Sequence, residues 1–451
     1  MFSVLDTTYW LFVSSLVSLL STWLGSLLPS PSPAPLSTPL IDPSSSLSYL
    51  IPPALKDPTP RTISWTSSPF TLSNGLGHRD PILMDEQLFL SLAFATSMRP
   101  SDVRPYFYRA QGGWEREEIT VTTLITSNRF RVFGRLVEKY RGPISVTVHI
   151  RDVEEHVQEV LTSLHEMYTS SALMQTYVDV HLVVDSFDRQ FNTWRNIARL
   201  FARTDYVMML DIDFYPCTDF KGVVRALGGG DGNNGKGKGK SGMSKGLKEK
   251  LEKGRAGLVI PAFEYGDFAE GTDYANFPST KAGLLALVKE ERIGMFHAGP
   301  GHNSTDYKKF YSAAPGEVYK VTRYQPSYEP YVIFRKDGPP WCDARFVGYG
   351  GNKAACLFEM YLSGMSYYVL ADHFIIHQNH LYEEIARKTE RRFNKKIHLD
   401  FREETCLKYL KKYHDSGILG TEVAENALTE CKKLKTVPPL TRSVPKINSR
   451  D

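Results

Sequence analysis

The sequence predicts an α/β fold with a single mixed, mostly parallel sheet flanked by helices, behind an N-terminal membrane anchor and a stem. From residue 119 onward, apolar strands alternate with amphipathic helices, as in doubly wound sheets. A long uncharged apolar run lies near the N-terminus, and a segment rich in Pro and Ser follows it. The 451 residues suffice for two or three domains, and a net charge of +4 is too small to indicate a nucleic-acid partner.

The N-terminal run predicts a signal anchor. Thr8–Leu28 contains no charged residue. At ~1.5 Å per residue it is long enough to cross a hydrocarbon core of ~30 Å. A cleaved signal peptide is the alternative, although its apolar core is usually shorter. We predict a cytoplasmic tip and transmembrane anchor over residues 1–28, an extended stem over 29–70, and a lumenal remainder.

Residues 71–385 are predicted to form the main domain, and 386–451 a helical extension. The expected strands are Ile119–Thr126, Ile144–Ile150, Val178–Val184, Tyr206–Leu210, Gly257–Phe263 and Tyr367–Leu370. The expected helices are Phe130–Tyr140, 153–167, Asn192–Ala202, Thr280–Arg292, Ala354–Leu362, Phe401–Tyr413 and Gly420–Leu434. The low-complexity, Lys-rich segment 228–254 predicts a disordered insertion, with an anionic-surface or nucleic-acid patch as the alternative.

Two carboxylates follow the apolar run that ends at Leu210. Asp211 and Asp213 are one residue apart, so an extended backbone points both to the same side. Such carboxylates repel each other unless a cation lies between them, and a divalent metal is the usual solution. Ligands of α/β sheets gather at the carboxyl ends of the strands. The pair therefore predicts a metal site, and a solvated acidic turn is the alternative.

A histidine late in the chain is the candidate third ligand. His377 closes the apolar stretch that begins at Phe374, and His380 follows it. Two carboxylates and one imidazole suit manganese. The alternative is a pair of histidines on the surface or in the core.

The cysteines and one sequon bear on the compartment. The five cysteines include no C-x-x-C pair, which argues against a structural zinc site, and Cys406 could pair with Cys431. Asn303-Ser304-Thr305 is an N-glycosylation sequon, usable only in the lumen.

Several long phrases resemble glycosyltransferase family 49, which includes LARGE-like and β-1,4-glucuronyltransferase-like enzymes. They are GHNSTDY from residue 301, YEPYVIFRKDGPPWCDARFVGYGGNK from residue 328, and FEMYLSGMSYYVLADHFIIHQNH ending at residue 380. Upstream, FNTWRNIARLFARTDYVMMLDIDFYPC resembles the donor-binding region of that family. The resemblance covers roughly residues 119–385. It implies a GT-A fold, a UDP-sugar donor, Mn²⁺ or Mg²⁺, a glycan acceptor, and a single-pass type II protein of the Golgi membrane.

The resemblance also implies roles for individual residues. It implies that Asp211, Asp213 and His377 are the metal ligands. It also implies that the nucleotide-sugar donor is contacted by Thr126, Asn192, Arg195, Asn196 and Lys353. Arg387 or Lys388 could also meet the diphosphate. Without the resemblance, a salt bridge on the surface of a helix is an equally good interpretation of Arg195.

An inverting transfer, which the resemblance implies, needs a base for the acceptor hydroxyl. Asp343, before a Gly-rich loop, is the first candidate, and Glu329 is the second. His302 is a further residue on the acceptor side. The predicted function is a metal-dependent inverting transfer, with glucuronate as the sugar that the relatives suggest. Another donor such as UDP-N-acetylglucosamine, or an inactive glycan-binding protein, is the alternative.

Overall fold

The structure, a computed structural model, describes residues 62–65, 82–85, 102–227, 238–299, 301–381 and 384–436. The predicted anchor lies outside these residues. So does the predicted stem, except for strand β1 (Thr62–Trp65), which pairs antiparallel with β2 (Ile82–Asp85). Within the described part of the chain, no helix combines the length and the apolar character needed to cross a bilayer.

A nine-stranded mixed sheet forms the centre of the domain. Its strands are β3 (Asp102–Tyr108), β4 (Ile119–Ile125), β5 (Ile144–Ile150), β6 (Val178–Val184), β7 (Tyr206–Met209), β9 (Ala256–Ile260), β12 (Val318–Lys320), β13 (Tyr331–Arg335) and β14 (Ser366–Leu370). Their order across the sheet is β12-β14-β9-β13-β7-β4-β5-β6-β3. The strands β7, β4, β5 and β6 are parallel neighbours, as their alternation with helices predicts.

The predicted mixed α/β sheet flanked by helices is confirmed, but the prediction that it is single and mostly parallel is wrong. Strand β13 lies in the middle of the sheet and runs antiparallel to both neighbours, β7 and β9. A second sheet has four strands, β8 (Phe214–Pro216), β10 (Ala262–Tyr265), β11 (Ile293–Met295) and β15 (Ile375–His377). Their order across this sheet is β11-β10-β15-β8. Apolar periodicity marks a strand but does not encode its direction or its partner, which is why the sequence did not reveal either feature.

Helices cover the sheets. They are α1 (Phe130–Tyr140), α2 (Glu154–Thr169), α3 (Ala172–Tyr177), α4 (Phe191–Leu200), α5 (Val223–Ala226), α6 (Lys238–Glu252), α7 (Phe268–Thr272), α8 (Lys281–Lys289), α9 (Tyr307–Ser312), α10 (Asn352–Leu362), α11 (Glu384–Asp415) and α12 (Glu422–Cys431). Trp194 and Ile197 of α4 lie one turn apart, and both are buried against Val183 of β6.

Helix α6 differs from the predicted disorder over 228–254. Leu247 and Leu251 are buried, and Lys248 forms an ion pair with Glu117 at 3.0 Å. The C-terminal part of the helix therefore packs on the domain, because Leu247 and Leu251 anchor an otherwise Lys-rich segment.

Two disulfides secure the C-terminal half. Cys406–Cys431 joins α11 to α12, which confirms the suggested pairing. Cys342–Cys356 joins the loop before α10 to the helix itself and was not anticipated. The remaining cysteine, Cys217, is a buried free thiol.

Candidate functional site

The two carboxylates lie in the turn that connects the two sheets. Asp211 follows the end of β7, and Asp213 directly precedes β8. The N–H of Phe214 donates to the carbonyl oxygen of Asp211 at 3.1 Å, which closes the turn. Both carboxylates thus lie at the carboxyl end of a central strand, where α/β proteins bind ligands.

Asp211 is held by three side chains from three different elements. Its Oδ1 accepts from Arg195 Nη2 at 2.9 Å, and its Oδ2 accepts from Lys353 Nζ at 2.9 Å and from the Tyr331 hydroxyl at 3.0 Å. Burial alone would raise the pKa of Asp211, but the attraction of Lys353 and Arg195 outweighs it and holds that pKa below its usual range. Asp211 is therefore ionised at neutral pH.

Asp213 is held by an arginine and a histidine. Arg129 Nε lies 3.0 Å from its Oδ1, and His380 Nε2 lies 3.2 Å from its Oδ2. Arg129 ends the short 3-10 turn that follows β4. Sequence reasoning assigned no role to Arg129 or to His380, because no motif marks a side chain that contacts a carboxylate distant from it in sequence.

The backbone places His377 beside Asp213. In the antiparallel pairing of β15 with β8, His377 lies opposite Phe214, and the N–H of Gln378 donates to the carbonyl oxygen of Asp213 at 2.7 Å. Burial lowers the pKa of His377 to about 4, although Asp213 opposes the shift. The imidazole is therefore neutral at physiological pH, which is the form that binds metals.

These three side chains fit a divalent metal in their chemistry. They are two carboxylates and a neutral imidazole from adjacent segments of backbone. As the side chains lie, no three His, Cys, Asp or Glu groups among the described residues form a metal-binding cluster. The oxygens of Asp211 and Asp213 instead contact arginine, lysine and histidine side chains.

Helix α4 supplies Arg195 and two asparagines that hold backbone. Asn192 Nδ2 donates to the carbonyl oxygens of Asp343 and Asn352 at 2.9 and 3.0 Å. Asn196 exchanges two hydrogen bonds with the backbone of Cys342, at 2.8 and 2.9 Å. Both asparagines are buried, and both fasten the loop before α10 to α4.

Lys353 enters the site from the first turn of α10. Its side chain is 4% exposed, and its Nζ lies 3.6 Å from the centre of the Tyr331 ring. Gly351, with φ of +72°, precedes the helix in the left-handed region. Disulfide Cys342–Cys356 fixes the same helix to the loop before it. The position of the Lys353 ammonium is thus determined by the packing around it.

The two predicted bases differ in their surroundings. The Asp343 carboxylate accepts from Arg345 Nε and Nη2 at 3.0 and 2.8 Å. Glu329 is half-buried. Burial raises the pKa of Glu329, although the nearby Lys353 opposes the shift.

The remaining predicted residues are Thr126, His302, Arg387 and Lys388. Thr126 donates to Asn128 Oδ1 at 2.7 Å in the turn after β4. His302 is buried with its ring near that of Tyr331, and burial lowers its pKa to about 3. Arg387 lies over the Tyr349 ring at 4.6 Å, and Lys388 is exposed to solvent.

A pocket of about 920 Å³ opens beside His377. Its lining includes His377, His380, Asn379, His297 and Glu264. Glu264 Oε1 accepts from the N–H of His297 at 2.7 Å, and burial raises the pKa of Glu264. The size lies within the range of ligand pockets, and sequence reasoning did not find it because its wall comes from several separate segments.

A family described as "Glycosyl-transferase for dystroglycan" matches this chain over residues 118–191 and 185–410. "Xylosyl- and glucuronyltransferase LARGE2" of Mus musculus is 31% identical over 272 residues, which cover 58% of this chain and 34% of that protein. "Xylosyl- and glucuronyltransferase LARGE1" of Homo sapiens is 26% identical over 312 residues, or 68% of this chain and 36% of that protein. The chain spans about a third of the length of these curated relatives.

Solved structures resemble the chain more distantly. TarS residues 1–349 of S. aureus give a TM-score of 0.36 at 12% identity, over 71% of this chain and 75% of that one. GalNAc-T7 with UDP, GalNAc and Mn²⁺ gives a TM-score of 0.32 at 11% identity, over 59% of this chain and 44% of that one.

Proposed function

The chain belongs to glycosyltransferase family 49, and we propose on this basis that it moves glucuronate from UDP-glucuronate to a glycan acceptor, with inversion and with Mn²⁺ or Mg²⁺. The observation that carries the proposal is the charged centre at the end of β7, where Asp211 meets Lys353 and Arg195. The glucuronate rests on the names of the LARGE relatives. A GT-A form of the α/β fold and a type II Golgi setting belong to the same proposal.

Asp211, Asp213 and His377 would hold the metal. Bound there, the metal would act as a Lewis acid that stabilises the charge of the departing nucleoside diphosphate. The chemistry of the three donors and the backbone pairing of His377 next to Asp213 support this assignment.

Lys353 and Arg195 would bind the diphosphate. Both cations have little exposed surface, and both are fixed by partners before any donor arrives. Fixed donors that need no reorganisation stabilise developing charge more effectively than mobile ones do. Arg129 adds a third positive charge on the side of Asp213.

Glu329 is our proposed base for the acceptor hydroxyl. A base works best when its pKa lies near the working pH, and burial shifts the pKa of Glu329 upward from the ordinary carboxyl value. Asp343 is less suited because Arg345 occupies its carboxylate with two hydrogen bonds. The acceptor would enter through the pocket beside His377, and His302 would support Tyr331 from within the core.

A donor panel tests the proposal. The purified full chain is incubated with Mn²⁺ and with UDP-glucuronate, UDP-xylose or UDP-N-acetylglucosamine, and release of UDP is measured. We expect UDP-glucuronate to be used most rapidly. Asp213→Ala should abolish release, whereas Asp219→Ala, which changes an exposed carboxylate, should not. A wild-type rate equal to that of Asp213→Ala for every donor would refute the proposal that the chain is a glycosyltransferase. A higher rate with another UDP-sugar would refute the assignment of UDP-glucuronate as the donor.

A further inference from the structure

One sequence motif takes no part in the proposed transfer. Asn303-Ser304-Thr305 is the only Asn-x-Ser/Thr sequon in the chain, and its three residues form a 3-10 turn between β11 and α9. Asn303 is exposed, whereas Ser304 and Thr305 are buried. The turn thus presents to solvent the one atom that N-glycosylation modifies.

The disulfides place this sequon in a suitable compartment. Cys342–Cys356 and Cys406–Cys431 join cysteines that are all buried in the domain. Disulfides form and persist in oxidising environments such as the lumen of the endoplasmic reticulum, where N-glycans are attached. This argument depends on neither the donor nor the metal. We propose that Asn303 carries an N-linked glycan.

The modification is a group transfer that the host cell supplies. A lipid-diphosphate-linked oligosaccharide is the glycan donor. The Asn303 Nδ2 forms a bond to the anomeric carbon, and the bond from that carbon to the diphosphate oxygen breaks. The lipid diphosphate leaves with the electron pair, and the amide nitrogen gives up one proton.

The folded turn determines when this transfer occurs. Thr305 Oγ1 lies 2.8 Å from the Tyr328 hydroxyl, and the carbonyl oxygen of Thr305 accepts from the Tyr319 hydroxyl at 2.9 Å. A transferase that reads the sequon threonine cannot reach this hydroxyl in the folded domain. The glycan is therefore attached before the turn folds against Tyr328, and the outward position of Asn303 accommodates it afterwards.

The experiment is a mass measurement on the full chain expressed in eukaryotic cells, before and after enzymatic removal of N-glycans. Three chains are compared. The wild type contains the sequon, Asn303→Gln removes the acceptor amide, and Thr305→Ser keeps both a sequon and a hydroxyl next to Tyr328. We expect the wild type and Thr305→Ser to lose the mass of one glycan, and Asn303→Gln to lose none.

A wild type whose mass does not change on enzyme treatment overturns the proposal. An Asn-Gly-Thr sequon appended at the C-terminus shows the reason in that case. If the appended sequon is modified and Asn303 is not, the turn is inaccessible to the transferase. If neither is modified, the chain does not enter the compartment in which N-glycans are attached. Release of UDP by the same preparations tests the proposed function separately, because the sequon contributes no residue to the charged centre.

Discussion

Four basic side chains contact the two acidic residues on which the site was predicted. Lys353 and Arg195 pair with Asp211, and Arg129 pairs with Asp213, where His380 also contacts the carboxylate. Adjacent carboxylates need positive charge between or around them, and these partners supply it. In the proposed function, Lys353, Arg195 and Arg129 would turn to the diphosphate when a metal binds the carboxylates. Lys353 is the most buried of the four and provides the clearest test.

Lys353→Met should weaken the binding of UDP in the presence of Mn²⁺ by about tenfold or more. A hydrogen bond to a charged group contributes ~1.5–3 kcal/mol, and each 1.4 kcal/mol is about a factor of ten in affinity. Mn²⁺ alone should bind at least as tightly as it does to the wild type, because one competitor for Asp211 is gone. Titration calorimetry measures both constants.

The matched control is Lys221→Met, which removes a partly exposed lysine paired with Asp219. Both constants should stay at their wild-type values in this variant. An unchanged UDP affinity in Lys353→Met would show that Lys353 only balances the charge of Asp211.

Glu329→Gln should lower kcat by roughly a hundredfold or more, the usual contribution of a positioned base, while the Kd of UDP stays the same. A protonated Glu329 cannot accept a proton, so wild-type kcat should rise with pH through the pKa of this residue. An ordinary glutamate carboxyl has a pKa of about 4.3. Because burial raises the pKa of Glu329, the rise in kcat should occur at a pH above that value. Steady-state rates over a pH series give both results.

The same shift has a consequence for stability. The folded state holds the Glu329 proton more tightly than the unfolded state does, so this contribution to stability is lost as pH rises through the folded pKa. In Glu329→Gln, the free energy of unfolding should not show this decrease with rising pH. Exposed Glu159→Gln is the control and should change neither kinetics nor stability. A Glu329→Gln variant with full kcat would exclude Glu329 as the base.

At the scale of elements, apolar periodicity located the parallel strands well. Strands β5 and β6 begin and end at the predicted residues, because apolar residues recur at every second position along both. The reversed direction of β13 could not be predicted, since it depends on the connections between strands. Asp211, Asp213 and His377 could be proposed because strand ends and motifs mark them. Arg129 and the pocket beside His377 could not, because only the fold brings their segments together.

Helix α6 gives an element-scale prediction that separates the structure from the predicted disorder. Leu251 is fully buried, so Leu251→Ala should lower the free energy of unfolding by about 2–5 kcal/mol. Urea denaturation followed by far-UV circular dichroism measures the change. Exposed Glu249→Ala, on the same helix, should have little effect. A Leu251→Ala variant as stable as the wild type would support a disordered segment instead.

At the scale of the whole molecule, the site depends on links between distant parts of the chain. Asp211 follows a strand of the central sheet, while Lys353 comes from α10. Asn196 and the disulfide Cys342–Cys356 join α4, the intervening loop and α10. The second disulfide, Cys406–Cys431, joins α11 and α12 and includes no residue of the charged centre. Stability and donor binding should therefore respond differently to the loss of each disulfide.

Replacing either pair of cysteines by alanine should lower the free energy of unfolding by about 3 kcal/mol, the usual effect of a disulfide that closes a short loop. Only Cys342→Ala/Cys356→Ala should also weaken UDP binding, because it frees the loop and the first turn of α10 that carry Lys353. Cys406→Ala/Cys431→Ala is the matched control, and its UDP affinity should equal that of the wild type at a temperature where both chains are folded. Equal UDP affinity in all three chains would show that hydrogen bonds from Asn192 and Asn196 position Lys353 without the disulfide.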